Sequence, residues 1–229
     1  MSILIVTLQN PYPGIREKGK CTCGGNQMLL QSETLRRFGC GAVAALDLVR
    51  YLHLYHAGCK TDLFTGVPDD QAVTSALYGL CVRRICRRYL PIMPYIATNG
   101  AFLAAGINAY LKHYDLPFSA RWGVAQDELW QAIGRMLGEN IPVILGIGKP
   151  VKHLLTGKGL SLYQSRNGEW KVVRQVTGHF LTVTKQDDCW LYVSSWGKEY
   201  AIERRELMRY TKTESVPFLC NILQIFPKF

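Results

Sequence analysis

The chain contains no run of the roughly 18 apolar residues that a membrane-spanning helix needs. Its first residues, MSILIVTLQNPYPG, hold only a short apolar run, with no basic segment before it and no small-residue cleavage site after it. They do not read as a secretory leader, and the expected location is the cytoplasm. Eight cysteines in 229 residues are too sparse for a small disulfide scaffold, so most are expected to be core thiols. Cys21 and Cys23 form C-x-C, and no second pair or His follows at zinc spacing, which argues against a structural metal. Repeats, low-complexity tracts and long linkers are also lacking. Acidic residues are few, 17 against 27 Lys and Arg, and the net charge is +10. That excess favours anionic partners at long range without naming one. Its densest part, CVRRICRRYL, places Arg83, Arg84, Arg87 and Arg88 on one broad helix face, read here as a solvated face. Without an aromatic-interleaved strand, finger spacing or helix-turn-helix, no specific nucleic-acid partner is expected.

What the chain has is 48% hydrophobic residues, ample for a buried core. Residues 1–35 carry turn chemistry in NPYPG and CTCGG and read as an arm wrapping the rest, with a strand over 2–8. Residues 36–140 are expected to be mostly helical. Apolar spacing predicts helices over 42–56, 71–89, 99–113 with Asn99 as cap, and 126–137. From 141 to 229 the texture changes to short β-branched and aromatic runs: PVILGIG, LSLYQ, EWKVVRQV, HFLTVTK, CWLYVSS and FLCNILQIF. Asn167-Gly168 marks a hairpin, and a second is expected through Gln186-Asp187-Asp188. Helices first and strands second predict an α+β fold, with the two halves packed as one domain.

Two short stretches carry chemistry. In RRFGCGAVAALDLVRYL, Cys40 sits between Gly39 and Gly41 at the start of a helical pattern. A helix N-terminus offers free N–H groups and a partial positive charge, which favour a thiolate. The same N–H groups of Cys40 and Gly41 are placed to hold an oxyanion. A thiol there becomes a nucleophile only with a base beside it. His179, in TGHFLTVT, opens a strand pattern 139 residues downstream (179 − 40). His53, His56, His113 and His153 have no comparable setting and read as structural or surface residues.

Four features in order, Cys-Gly at a helix start, an apolar strand ending in Gly (PVILGIG), Gly-His before an apolar strand, then Ser-Ser-Trp-Gly, resemble the papain-like cysteine peptidases. The bacterial double-glycine (bacteriocin leader) branch is the nearest in feel. The separation of Cys and His lies in the span of about 130–150 residues that papain-like enzymes use. The resemblance covers 40–197 by order of elements, but only Cys-Gly, Gly-His and Ser-Trp-Gly match as motifs. It implies a papain-like fold, with a helical N-terminal half against an antiparallel C-terminal sheet, and a Cys40–His179 dyad. It also implies that Ser194 stands where the family has the Asn that orients the imidazole, and that Trp196 covers the edge of the ring. Asp187 and Asp188 are lesser candidates for the orienting role. In the family a Gln shortly upstream of the nucleophile completes the oxyanion hole. This chain has Thr34 at that position, so Gln31 is the expected donor, reached by an insertion such as LRR, and Gln27 is a second candidate.

The implied reaction is attack of a Cys40 thiolate, paired with a His179 imidazolium, on a peptide carbonyl, giving a thioester that water resolves. The implied partner is a peptide or protein substrate, and no cofactor or metal is required. Acyl transfer or amide hydrolysis by the same dyad is one alternative. A papain-like binding protein without catalysis is another.

Overall fold

The computed structural model describes residues 5–17, 19–92, 98–151 and 157–228. Its helices are α1 (Glu33–Phe38), α2 (Cys40–Tyr55), α3 (Ser75–Arg88), α4 (Gly100–His113), α5 (Leu129–Gly138) and α6 (Arg204–Thr213). Three starts follow from local chemistry. The side chains of Ser32, Thr74 and Asn99 accept from the N–H groups of Leu35, Leu77 and Phe102, each satisfying one orphan donor. α2 is different. Gly39 provides no side-chain cap, and every residue from Gly41 to His53 is buried. Burial of side chains such as Leu46, Leu48 and Leu52, each fully enclosed, stabilises it by about 1.5–3 kcal/mol apiece. Its buried polar residues Asp47, Arg50 and His53 each make a side-chain hydrogen bond, although Nε of Arg50 is left without a partner among the described residues. His53 accepts from Thr61 N–H through Nδ1, which leaves Nε2 to donate to Asp69 at 3.1 Å. Arg50 donates to the Asp70 carbonyl.

The strands are β1 (Val6–Thr7), β2 (Gly14–Glu17), β3 (Lys20–Cys21), β4 (Ala72–Thr74), β5 (Phe118–Trp122), β6 (Val143–Ile147), β7 (Leu160–Arg166), β8 (Glu169–Val176), β9 (His179–Gln186), β10 (Trp190–Ser195), β11 (Lys198–Glu203) and β12 (Asn221–Pro227). The large sheet runs β5-β12-β6-β9-β10-β11-β7-β8, with β1 added to β9, and each of its pairings is antiparallel. A small second sheet orders β3-β2-β4. The fold is therefore mixed α+β. α2 packs on β9, and both contribute to one hydrophobic cluster with α3, α4, β6 and β12. No helix among the described residues is long and apolar enough to cross a membrane.

The expected split into a helical half and a sheet half needs correction. β5 lies in the middle of the helical stretch yet forms the edge of the large sheet beside β12, the last strand of the chain. The pattern expected as a helix over 71–89 begins as β4, because Ala72 and Val73 pair with β2 before Thr74 caps α3. β11, α1 and α6 were not anticipated, and only residues 6–7 of the proposed 2–8 strand are paired, residues 1–4 lying outside the described set. The Asn167-Gly168 hairpin is present with both residues at positive φ, as a two-residue primed turn demands. The basic helix face divides in two. Arg84 donates to the carbonyls of Leu63 and Thr65, and Arg88 pairs with Asp62, while Arg83 and Arg87 face solvent.

Candidate active site

Cys40 and His179 both line one small cavity between the first turn of α2 and the start of β9. Gln27, Ser194, Ser195 and Trp196 line it too. Its free volume is about 10 Å³, room for no more than one water. His179 is placed by register, since it closes the β6–β9 ladder opposite Ile147. Cys40 is placed by the break between α1 and α2 at Gly39, where a Cβ would lie 2.3 Å from the Leu35 carbonyl oxygen. Backbone N–H groups of Phe180, Gly41 and Cys40 itself favour the sulfur's thiolate, but burial outweighs them and pushes the thiol pKa up. The sulfur and the imidazole form no hydrogen bond with each other in this structure.

The imidazole is held on two sides. Its Nε2 and the Ser195 hydroxyl are 2.8 Å apart, and the indole of Trp196 stacks on its face. Nδ1 makes no hydrogen bond among the described residues, which leaves it for chemistry. Burial first, and the Arg174 guanidinium second, push the imidazole pKa down to about 4. Desolvation thus favours the neutral form of both the half-buried thiol and the buried imidazole. Desolvation opposes the thiolate–imidazolium pair expected from the helix N-terminus, since it penalises either charge.

Four placements correct the sequence reading. Ser194 does not touch His179; its hydroxyl donates to the Cys23 carbonyl at 2.8 Å. Side chains alternate along β10, so neighbouring serines point to opposite faces, and Ser195 is the one that meets the ring. Gln31 is exposed and only its carbonyl is engaged, by Arg36. Gln27, the second candidate, is buried in the cavity wall with its amide on the Arg36 carbonyl at 2.8 Å. Trp196 covers the face of the imidazole rather than its edge. Asp187 caps the β9–β10 turn, accepting from the N–H groups of Cys189 and Trp190 and from the Tyr192 hydroxyl, and exposed Asp188 is likewise away from the cavity.

The N-terminal segment is part of the site rather than a wrapping around it. Cys23 N–H donates to Gly197, Gly197 N–H donates to Gly25, and Ser194 reaches Cys23, so residues 23–25 are stitched to the β10–β11 turn. From below, buried Asp47 of α2 accepts from Gly25 N–H and the Tyr78 hydroxyl, both at 2.7 Å. Burial raises its pKa to about 6. The glycines of CTCGG answer to these close approaches. A Cβ on Gly24 would lie 2.1 Å from the Ser194 hydroxyl, and one on Gly25 would lie 1.9 Å from that of Tyr78. Asp47, Ser195 and Arg174 were missed in the sequence. Asp47 had a visible signal, a carboxylate inside an otherwise apolar helical run, and Ser195 followed from strand alternation. Arg174 had none.

Comparison with known proteins finds no family model that matches the chain and no curated protein that matches it.

Proposed function

We propose that the chain is a papain-like cysteine peptidase in which Cys40 is the nucleophile and His179 the general base and acid. The observation that supports this reading is the shared cavity: Cys40, on the first turn of a buried helix, and His179, whose imidazole is held by Ser195 and Trp196, both border it. Four of the site's residues come from three widely separated stretches, which core packing of a small thiol does not require.

The neutral resting pair sets the order of events. As Sγ attacks the substrate carbonyl, Nδ1 of His179 takes the thiol proton, so charge develops only once the carbonyl is present. The new S–C bond makes a tetrahedral oxyanion. N–H groups of the first turn of α2 and the Gln27 amide are its donors, worth about 3–4 kcal/mol per donor in comparable sites. His179 then gives the proton to the leaving nitrogen as the C–N bond breaks, and a thioester remains on Cys40. Water activated by His179 hydrolyses the thioester. Because the cavity holds at most one water, substrate must widen it from the open cleft beside His179 and Trp196.

The test is site-resolved mass analysis after a stoichiometric thiol-reactive probe on the full chain. Cys40 should be modified well before the exposed thiols Cys21 and Cys189, and His179→Ala should abolish that preference. Labelling governed only by exposure, indifferent to His179, would defeat the proposal.

A further inference from the structure

Beside His179 lies an open cleft of about 330 Å³ lined by Arg174, Gln175, Val176, Thr177, His179 and Trp196. Cys40 is absent from its lining. In the reaction proposed above, the group that leaves must take its proton from His179, so the space that shares His179 but not the sulfur belongs to the leaving half of the substrate.

Arg174 is the charged residue of that cleft. It projects from exposed strand β8, its guanidinium lies 4.4 Å from the centre of the Trp196 ring, and Trp196 lies on His179. The three planar groups form a stack that fixes the guanidinium over the cleft at little further entropic cost. Among the described residues no carboxylate pairs with Arg174, and neither Asp nor Glu lines the cleft. Lys149 comes near the cleft's end, its side chain passing about 3.6 Å from where a Cβ on Gly178 would lie. A cation held rigidly with its N–H donors unclaimed matches a carboxylate, which guanidinium binds through two parallel hydrogen bonds. We infer that Arg174 makes the leaving-group cleft selective for anions, so that preferred substrates carry an acidic side chain or a terminal carboxylate just beyond the bond that is cleaved. This rests on the proposed peptidase reaction for the word substrate, but the anion selectivity of the cleft is separable from it.

The experiment compares two probes of Cys40 on the full chain, N-ethylmaleimide and its carboxylate-bearing relative 3-maleimidopropionate, with rates read at Cys40 by peptide mass mapping. The ratio of the charged to the neutral rate should fall about fivefold in Arg174→Gln, which keeps a planar group against Trp196. The ratio should persist in Arg174→Lys, fall further in Arg174→Glu, and shrink in wild type at high salt. A second arm digests a peptide mixture and reads the residue after each cut, where Asp and Glu should be enriched with wild type and not with Arg174→Gln. An unchanged probe ratio in Arg174→Gln overturns the assignment, whatever the digest shows. A shifted ratio with no peptide cut upholds the anion-selective cleft and defeats the peptidase reading. Cleavage indifferent to acidic residues together with an unchanged ratio does the reverse.

Discussion

The indole of Trp196 lies flat on the imidazole of His179, with 4.2 Å between ring centres and 7° between planes. The backbone makes this possible at a cost. Trp196 has φ 48 and Gly197 φ 73, the two central residues of a primed hairpin turn between β10 and β11, and a non-glycine there is strained by roughly 1–3 kcal/mol. Strain kept at such a position marks a residue whose direction matters. In Trp196→Ala the ring is opened to water and Arg174 loses its platform, and both changes raise the imidazole pKa from about 4 toward its ordinary 6.5. The acid limb of Cys40 modification should move up with it, so that the rate at pH 5 drops relative to pH 7.5. An unmoved pH profile would show that the indole does not shield the ring.

Asp47 and His179 should oppose each other in stability. The imidazole pKa is depressed in the folded state, so its contribution is complete above 6.5 and is lost as pH falls toward 4. The Asp47 pKa is raised from 3.8 to about 6, so its contribution is complete below 3.8 and is lost as pH rises through 6. Each swing is about 3 kcal/mol, and over the shared window they nearly cancel. Asp47→Asn should therefore lose stability on acidification from pH 6.5 to 4 relative to wild type, and His179→Ala should gain it. Urea unfolding midpoints across that range decide it, and curves parallel to wild type in both variants would refute the coupling.

The two serines of β10 should separate cleanly. Ser195→Ala removes the contact to Nε2 and should slow acylation of Cys40 by roughly 10-fold or more while the fold stays intact. Ser194→Ala removes the bond to the Cys23 carbonyl and should cost about 1 kcal/mol of stability, with a smaller effect on acylation. Thermal unfolding and probe kinetics on the same two proteins give the comparison. The reverse pattern would restore Ser194 as the orienting residue.

Gln27→Ala should lower acylation by an activated ester some 10²–10³-fold if its amide holds the oxyanion, whereas Gln31→Ala, on the surface, should leave the rate within error. Because Gln27 also ties to the Arg36 carbonyl, circular dichroism accompanies the kinetics. Equal rates in the two variants would remove Gln27 from the oxyanion site.

The long periodic elements were legible in the sequence. α2, α4 and the strands β6 to β10 fall within a few residues of where their apolar spacing places them, because period alone decides such segments. Cys40 and His179 were legible too, since a thiol between glycines at a helix start and a histidine opening a strand are local patterns. What was not legible depends on pairing across the chain. β5 and β4 are short strands, the one formed by pairing with β12 and the other with β2, and Gln27 enters the site through a turn whose path is set by Asp47. The choice of Ser195 over Ser194 required only the strand's two-residue period, but the family's motif points one residue away from it. Arg174 reaches the site from β8 across the Trp196 ring, which no local pattern reveals.

The stitch between residues 23–25 and the β10–β11 turn also has a consequence in time. The hydroxyl of Ser194 and the carbonyl of Cys23 are 171 positions apart, so this wall of the site closes only after most of the chain has been made. Contacts of such long sequence separation form late, because their loop-closure entropy must be overcome first. During vectorial synthesis α2 and its thiol emerge well before β9 and β10, and a chain stalled short of β9 carries Cys40 without His179 or Trp196. Under the proposed reaction, the order of the elements delays a complete site until synthesis is nearly finished.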